Sequence, residues 1–230
     1  MKYYLIAGEP SGDALGAKLM QALRLKDKDA EFFGLGGDGM QVCGLKSLFN
    51  ISELAIMGLA EVIPSIPRIL RRINETVADI QSVRPDVVIT IDSWSFSARI
   101  HKKLRRLKLD IPQIHYVAPQ VWAWKKRRAR TMYQYIDLLL TLFPNEPQYF
   151  TPYYLETVFV GHPVIEDAVL QGSEKGKFKK AYGIPADKKL MLVLPGSRHN
   201  EVKHLLPDFL EVVKTLQQTH PDLSFMIPTV

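Results

Sequence analysis

Residues 86–92 read DVVITID, and this stretch decides the fold predicted for the chain. The run from Asp86 to Ile91 is almost continuously apolar and β-branched, which is typical of a central parallel strand buried on both faces. Asp92 follows at the carboxyl end of the strand, where ligands bind in α/β folds. A carboxylate at this position can act as a general base. It can equally cap the next helix, predicted within SFSARIHKKLRRL, so both interpretations stay open.

The chain opens with a strand, a glycine turn and a helix. Residues 3–8 form an apolar strand that ends at Gly8, and GEPSGDALG follows. Ser11 is the predicted N-cap of a helix whose apolar residues recur at helical spacing. The turn has neither a GxGxxG fingerprint nor a Walker A loop, so a dinucleotide or ATP site is not indicated. The turn presents helix N-terminal amides and the carboxylates of Glu9 and Asp13, although a plain βα turn explains the same residues.

Strands and helices alternate about six times as far as Pro163, with further strands predicted at EFFGLG, IPQIHYV, DLLLTL and TVFVGHPV and a short one at residues 46–49. The alternation predicts an α/β domain at residues 1–163 with a mostly parallel sheet, because crossover helices pack on both faces. Residues 164–187 are polar and Gly-rich, as in a linker with a short helix. Residues 188–230 then read strand, helix, strand. This is too little to bury a core, so we expect one whole domain and only the opening of a second.

The composition indicates a soluble protein of a reducing compartment. Of 230 residues, 47% are hydrophobic and 23% are charged, which is an ordinary balance for a globular protein. The single cysteine excludes an internal disulfide and a cysteine-based metal site. We see no signal peptide at the N-terminus and no apolar run near the roughly 20 residues that a membrane-spanning helix needs. A cytoplasmic location is therefore expected.

The positive charge of the chain is concentrated in one segment. Between Arg99 and Arg130 there are eleven Lys or Arg residues and one acidic residue, Asp110, so the segment carries +10. Because the whole chain carries +6, the remainder carries −4. A local basic patch favours a partner with phosphates, such as nucleic acid, an anionic membrane surface or a phosphorylated substrate. A solvated helix face explains the ARIHKKLRRLK part equally simply.

An unusual aromatic stretch, HYVAPQVWAWKKRRAR, occupies His115 to Arg130. A strand leads into it, Pro119 breaks regular structure, and Trp122 and Trp124 precede the cations. This order is typical of a loop at the carboxyl edge of a parallel sheet, where ligands bind. A buried tryptophan pair beside a solvated helix is the alternative, and the stretch by itself does not separate the two.

Two further segments are candidates for binding. ELAIMGLAEVIPSIPRILRRI is densely apolar, is interrupted by Pro64 and Pro67, and ends in arginines, so it can lie in a membrane interface or form a core helix. LPGSR follows a later strand. There Gly196 permits close backbone approach, while Ser197 and Arg198 can hold phosphate. A capped βα turn is the alternative for LPGSR.

Six pieces of the chain, in this order, resemble the lipid-A-disaccharide synthase family. They are Gly8–Asp13, Glu53–Val62, Ile91–Ser93, the HYVAPQVWAW stretch, Gly161–Pro163, and LPGSR with Glu201. The HYV-x-P-x-VWAW piece is the most specific. The resemblance implies a GT-B fold, with one complete Rossmann-like domain and the first βαβ unit of a second. It also implies an inverting transfer, in which UDP-2,3-diacylglucosamine donates its sugar to the 6-hydroxyl of 2,3-diacylglucosamine 1-phosphate and UDP is released.

The resemblance gives the candidate residues roles. Asp92 is the first candidate for the base and Glu9 the second. The residues expected to bind substrate are Ser11, Gly12, Asp13, His115, Trp122 and Arg128. The leaving diphosphate is assigned to Gly196, Ser197 and Arg198. Positive charge from Arg198 and from the N-terminus of the following helix makes a metal or cofactor unnecessary. Contact with acyl chains or the anionic surface of the inner membrane is assigned to Ile56, Met57, Leu59, Val62, Ile66 and Ile69.

The chain departs from the family pattern in two places. The family usually has ID-[SA]-PDF, whereas Trp94, Ser95 and Phe96 follow Ser93 here, so the second carboxylate is lost. The second domain ends at Val230, so this chain alone is predicted to be inactive. Two alternatives remain, namely another GT-B enzyme acting on a UDP-sugar and a phosphate- or membrane-binding module that uses the basic patch. Nucleic acid is not an expected partner, since motifs for its recognition are absent.

Overall fold

The computed structural model describes residues 1–54, 59–123, 126–166, 175–196 and 199–228, and it describes their side chains except at 59–65, 166, 175 and 199. The strands are β1 Lys2–Ala7, β2 Glu31–Leu35, β3 Val87–Ile91, β4 Gln113–Tyr116, β5 Leu138–Thr141, β6 Glu156–Phe159, β7 Lys189–Leu192 and β8 Leu223–Met226. The α-helices are α1 Pro10–Lys26, α2 Asp38–Val42, α3 Leu59–Val83, α4 Trp94–Arg106, α5 Arg127–Met132, α6 Lys175–Ala181 and α7 His199–Thr219. Short 3-10 helices lie at Ile51–Leu54, Pro147–Tyr149, Thr151–Tyr153 and Pro163–Glu166.

The chain divides into two compact units. The first unit comprises Met1–Ala55 and Pro64–Pro163, and the second comprises Ile56–Ile63 and Val164–Val230. Each unit is built around a parallel sheet, of six strands in the first and two strands in the second.

The first unit is organised around β3, which corresponds to the predicted central strand. All five residues of β3 are buried, and the sheet has the order β2-β1-β3-β4-β5-β6 with every pair parallel. From β1 the chain passes to β2 on one side and then returns to β3 on the other side. The topological switch point of the sheet therefore lies between β1 and β3, which is where open α/β sheets bind ligands.

Helices cover both faces of this sheet, because successive side chains of a strand point to opposite faces. Leu5 of β1 and Ile89 of β3 lie in an apolar cluster with residues of α1. Tyr4 and Val88, one position earlier on each strand, lie in a second cluster with residues of α3 and α4. Burial on both faces explains why β1 and β3 read as nearly continuous apolar runs.

Two local predictions were wrong. No strand forms at residues 46–49, because Leu48 N–H donates to the Gly34 carbonyl (2.9 Å) and Ser47 Oγ accepts from Gly36 N–H (3.1 Å). These isolated bonds hold the segment at the end of β2 without a strand ladder. The N-cap of α1 is Glu9 rather than Ser11, and Pro10 takes the first helical position, which its fixed φ suits.

Helix α3 contains much of the apolar segment that was predicted to contact lipid. The helix runs continuously from Leu59 to Val83, whereas Pro64 and Pro67 were expected to interrupt it. Its later turns bury Ile73, Val77 and Ile80 in the second apolar cluster. Among the described helices, none combines the length and the apolarity needed to cross a membrane.

The second unit contains a strand–helix–strand segment of the kind the sequence predicted. Strands β7 and β8 pair in parallel from Lys189 opposite Leu223 to Leu192 opposite Met226. Helix α7 connects the two strands and continues through Pro207. The short helix α6 precedes them within the predicted linker.

Candidate functional site

The candidate site lies at the carboxyl ends of β1 and β3. Ala7 and Ile91 are register partners, so the turns that follow the two strands start side by side. One turn carries Glu9 and the other carries Asp92. The sheet therefore brings together, at its switch point, the two carboxylates that the sequence proposed as candidate bases.

The turn after β3 has an uncommon backbone. Asp92 and Ser93 both have left-handed φ angles, of 56° and 44°, and α4 begins directly afterwards at Trp94. Each left-handed non-glycine residue costs about 1–2 kcal/mol. Neighbouring bonds offset this cost, since Ser93 N–H donates to Asp92 Oδ1 (2.7 Å) and Ser97 Oγ donates to the Asp92 carbonyl (3.1 Å). The N-cap of α4 is Ser93, so Asp92 lies one residue before the cap.

Two side-chain hydrogen bonds join the turns after β1 and β3. Ser11 Oγ donates to Asp92 Oδ2 (3.2 Å), and Ser93 Oγ donates to Glu9 Oε1 (2.8 Å). Glu9, Asp92 and Ser93 are half-buried, whereas Ser11 is exposed. The Asp92 carboxylate is thus held by a hydrogen bond at each oxygen and still reaches the surface, as a group that exchanges protons with a ligand must.

Gly12 allows α1 to approach the end of β3 closely. A Cβ atom at Gly12 would lie 3.0 Å from the Ile91 carbonyl oxygen and 3.7 Å from Asp92 Cβ. A larger residue would push α1 away from the turn that carries Asp92. The structure therefore gives Gly12 a packing function beside the candidate site.

The carboxylate of Asp13 is turned inward. Oδ1 accepts hydrogen bonds from Gly37 N–H (2.8 Å) and Met40 N–H (3.0 Å), and Oδ2 accepts from Gly39 N–H (2.8 Å). Only 8% of Asp13 is exposed. These bonds satisfy amides at the start of α2 and fasten α1 to the glycine-rich loop. The geometry thus favours a structural function for Asp13 over the predicted contact with substrate.

His115 lies on β4 and is buried inside the first unit. Its Nδ1 is 2.6 Å from Thr90 Oγ1, which in turn is 2.8 Å from His101 Nε2. All three residues are fully buried, and the Trp94 ring covers His115 at a centroid distance of 4.7 Å. Within the described part of the chain, His115 Nε2 has no hydrogen-bond partner. His115 is therefore beneath the surface where the sequence expected it to meet substrate.

Burial keeps both imidazoles neutral. It lowers the pKa of His101 to about 4; the hydrogen bond with Gln113 opposes this shift and the charge of Arg105 adds to it. Burial likewise lowers the pKa of His115 well below its usual value, and proximity to His101 acts in the same direction.

The aromatic and basic stretch is partly described. Trp122 is 38% exposed and its ring lies 5.8 Å from that of Tyr149, whereas Trp124 lies outside the described residues. Arg128 is half-buried on α5, and its Nη2 donates to Ser95 Oγ (3.3 Å) in the first turn of α4. This places Trp122 at the surface and Arg128 beside Ser95, which follows Asp92 by three residues in the chain.

The structure describes some of the remaining candidate residues and not others. Ile66 on α3 is 45% exposed, and Ile69 packs against the second apolar cluster. Gly196 has φ +123°, and a Cβ there would lie 2.5 Å from Glu201 Cβ, so this turn of the second unit requires glycine. Ile56, Met57, Ser197 and Arg198 lie outside the described residues, and Leu59 and Val62 lie on α3 without described side chains.

Sequence reasoning missed Ser93, Ser95 and Arg99 as site residues. Ser93 bonds Glu9, and Ser95 receives hydrogen bonds from two arginines. Their position in the sequence could have indicated them, because all three follow Asp92 within one or two helical turns. In the described part of the chain, no group of three His, Cys, Asp or Glu residues could hold a metal ion.

Comparisons of the sequence identify one family. The sequence model described as Lipid-A-disaccharide synthetase matches residues 3–230. The chain is 50% identical over 231 residues to the lipid-A-disaccharide synthase of Paramagnetospirillum magneticum, covering 100% of this chain and 59% of that protein. It is 46% identical over 228 residues to that of Rhodospirillum centenum, covering 99% and 57%. The chain thus spans a little over half the length of these relatives.

Comparisons of the structure agree on the fold. A UDP-GlcNAc 2-epimerase from Neisseria meningitidis, solved bound to UDP-GlcNAc, superposes with a TM-score of 0.68 at 13% identity, covering 100% of this chain and 66% of that one. A UDP-N-acetylglucosamine 2-epimerase from Listeria monocytogenes, designated putative, gives 0.65 at 15% identity, covering 99% and 62%. The predicted α/β fold of GT-B type is confirmed by the parallel sheet and by these neighbours.

Proposed function

The chain belongs to the lipid-A-disaccharide synthetase family, and we propose that it supplies the acceptor side of an inverting glycosyltransferase. The proposed donor is UDP-2,3-diacylglucosamine and the proposed acceptor is 2,3-diacylglucosamine 1-phosphate. The products are the β-1,6-linked disaccharide 1-phosphate and UDP. Since the chain spans 59% of its relative from Paramagnetospirillum magneticum, the activity is proposed for a protein that also contains the rest of the donor domain.

The arrangement of Asp92 carries this proposal. Its carboxylate lies half-buried at the end of the central strand, at the switch point of the sheet, with Ser11 bonded to one oxygen and the Ser93 amide to the other. An inverting displacement needs a group that removes the proton of the attacking hydroxyl. A fixed carboxylate that remains open to the surface meets that need.

In the proposed reaction Asp92 accepts the proton of the acceptor 6-hydroxyl as its oxygen attacks the anomeric carbon of the donor sugar. The bond from that carbon to the diphosphate breaks, and UDP leaves with the bonding electrons. Glu9 acts through its hydrogen bond with Ser93 and so keeps the turn of Asp92 in place. Asp13 and Gly12 contribute by holding α1 against that turn.

The remaining assignments extend the same proposal. Trp122, exposed beside Tyr149, forms part of the wall of the acceptor cleft. Gly196, Ser197 and Arg198 neutralise the leaving diphosphate, because a cation and a helix N-terminus stabilise developing negative charge. The start of α3, with Ile66 exposed, contacts acyl chains at the cytoplasmic surface of the inner membrane. His115 supports the site from within the core.

The test is release of UDP by the intact protein mixed with both lipid substrates. Asp92→Asn keeps the size of the side chain and removes its basicity, so turnover should fall by about 10²–10⁴-fold. Asp86→Asn is the matched control, since it makes the same change at the opposite end of β3, where Asp86 accepts a bond from Lys2 N–H. Full turnover by Asp92→Asn would remove Asp92 from the role of base.

Replacing the lipid substrates by UDP-GlcNAc alone tests the reaction class. We expect no consumption of this soluble sugar nucleotide, because the proposed acceptor is absent. Conversion of UDP-GlcNAc with no requirement for lipid would contradict the proposal and favour a different enzyme of the same fold.

A further inference from the structure

Two arginines converge on the first turn of α4. Arg99 Nη1 donates to the carbonyl of Ser95, and Arg128 Nη2 donates to Ser95 Oγ at 3.3 Å. Arg99 comes from the second turn of α4, and Arg128 comes from α5. Two guanidinium groups from different helices therefore both bond to Ser95, one at its backbone carbonyl and one at its hydroxyl.

Among the residues that the structure describes, no carboxylate neutralises this pair. In the described part of the chain, Arg72 is bonded to Glu53 and Glu75, and Arg105 is bonded to Asp137. Over the same residues neither Arg99 nor Arg128 forms an ion pair. Both arginines instead use one donor each on Ser95, and each guanidinium has five donors in all.

The surroundings add to the positive potential. α4 has 13 residues, and the N-terminus of a helix carries about half a positive charge. Ser95 lies in its first turn and Arg99 is exposed, so an anion can reach the pair from solvent. A phosphate group is the best match, because guanidinium groups bind its oxygens in pairs.

The identity of residue 95 makes the site available. An aspartate at this position, as in the pattern that the chain resembles, would put a carboxylate where Ser95 Oγ now accepts from Arg128 Nη2. Ser95 adds no negative charge there, and its hydroxyl can itself donate to a phosphate oxygen. Ser95 also follows Asp92 by three residues, in the first turn of α4.

We infer that Arg99, Arg128 and Ser95 form a binding site for a phosphomonoester, and that its ligand is the phosphate of the sugar acceptor. The second part of this inference rests on the proposed function. Phosphate held here would orient an acceptor sugar so that its hydroxyl at the far side of the ring faces Asp92. The site would thus set the acceptor's orientation and its affinity.

Calorimetric binding to the intact protein tests the site without any turnover. The probes are glucosamine 1-phosphate, glucosamine and inorganic phosphate. We expect glucosamine 1-phosphate to bind more tightly than either of the others. Ser95→Asp and Arg128→Gln should each weaken its binding by about tenfold or more, the effect of losing a charge-assisted contact. Arg106→Gln, which removes an exposed cation from the other end of α4, should leave the affinity unchanged.

Binding to vesicles distinguishes a sugar phosphate from a lipid headgroup as the ligand of this site. Vesicles of phosphatidylcholine with and without phosphatidic acid are sedimented with wild type and with Ser95→Asp. We expect sedimentation with phosphatidic acid to be equal for the two proteins. If Ser95→Asp lowers vesicle binding and leaves glucosamine 1-phosphate binding intact, the site recognises a membrane headgroup and the inference is overturned. If Ser95→Asp and Arg128→Gln both bind every probe as tightly as the wild type does, the inference is also overturned.

Kinetics separate this inference from the proposed function. In the UDP-release assay, Ser95→Asp should raise KM for the acceptor with little change in kcat, because the substitution removes binding and leaves Asp92 in place. If Asp92→Asn stays active while the sugar phosphate binds as expected, the proposed base is wrong and the phosphate site stands. If Asp92→Asn is inactive and Ser95→Asp has a normal KM, the base stands and the phosphate site fails.

Discussion

Replacing Asp13 should reveal how strongly a single carboxylate fastens α1 to the glycine-rich loop. Asp13→Ala removes the acceptor of three amides, Gly37, Gly39 and Met40. The bonds from Gly37 and Met40 are buried, so water cannot replace the lost partner. A buried amide without a partner costs about 1–3 kcal/mol. Two of them give an expected loss of about 2–6 kcal/mol in the free energy of unfolding, a large share of the roughly 5–15 kcal/mol typical of a domain.

Asp13→Asn refines the prediction because the two carboxylate oxygens have different partners. The side-chain carbonyl of asparagine can still accept from Gly37 and Met40, which both bond Oδ1. Its NH₂ group would face Gly39 N–H, so one bond is lost and two donors meet. The expected cost is about 1–3 kcal/mol, clearly less than for alanine. Asp29→Asn, an exposed change of the same kind, should stay within about 0.5 kcal/mol of wild type.

Urea titration followed by tryptophan fluorescence measures these losses. All three tryptophans of the chain, at positions 94, 122 and 124, belong to the first unit, so the signal reports that unit. The free energy of unfolding should fall in the order wild type, Asp13→Asn, Asp13→Ala with similar m-values. A loss below about 0.5 kcal/mol for Asp13→Ala would refute the argument that this carboxylate holds the loop. Equal losses for the two variants would refute the assignment of the oxygens.

Two further predictions concern stability. Because burial lowers the pKa of His101 to about 4 and also lowers that of His115 well below its usual value, the unfolded chain binds protons at these residues below about pH 6.5 while the folded chain does not. The urea midpoint should therefore fall from pH 7 to pH 5, and His101→Gln should flatten the decline; a midpoint independent of pH over this range would contradict the burial argument. Tyr4→Phe removes the hydroxyl that donates to Asp79 Oδ2 at 2.6 Å within the first unit. It should lower the free energy of unfolding by about 1–2 kcal/mol, whereas an unchanged urea midpoint would show that this bond contributes nothing.

The orientation of the Asp92 turn has a physical cause that lies partly outside the turn. Asp92 and Ser93 both adopt left-handed backbone conformations, which cost free energy in isolation. Hydrogen bonds from Ser11 and to Glu9, on the turn after β1, hold them there. The candidate base is thus positioned by residues about 80 positions away in the sequence, through the pairing of β1 with β3.

Local sequence patterns do not show which of two plausible partners a side chain meets in the fold. The resemblance to the family predicted contact between Asp13 and substrate, yet Asp13 bonds three amides of another segment. The resemblance likewise predicted contact between His115 and substrate, yet Trp94 covers His115 inside the core. In both cases the deciding partner comes from a distant part of the chain, which no local pattern identifies.

The sequence by itself determined the fold class, the central strand and the place of Asp92 at its end. Burial on both faces of the sheet requires a continuous apolar run, and such a run can be recognised directly in the sequence. Tertiary structure alone decided which polar groups meet: Ser93 with Glu9, Asp13 with the glycine-rich loop, and Arg99 and Arg128 with Ser95. Hydrogen bonds and ion pairs act over a few ångströms in space, so they become predictable only when the strand order and helix packing are known.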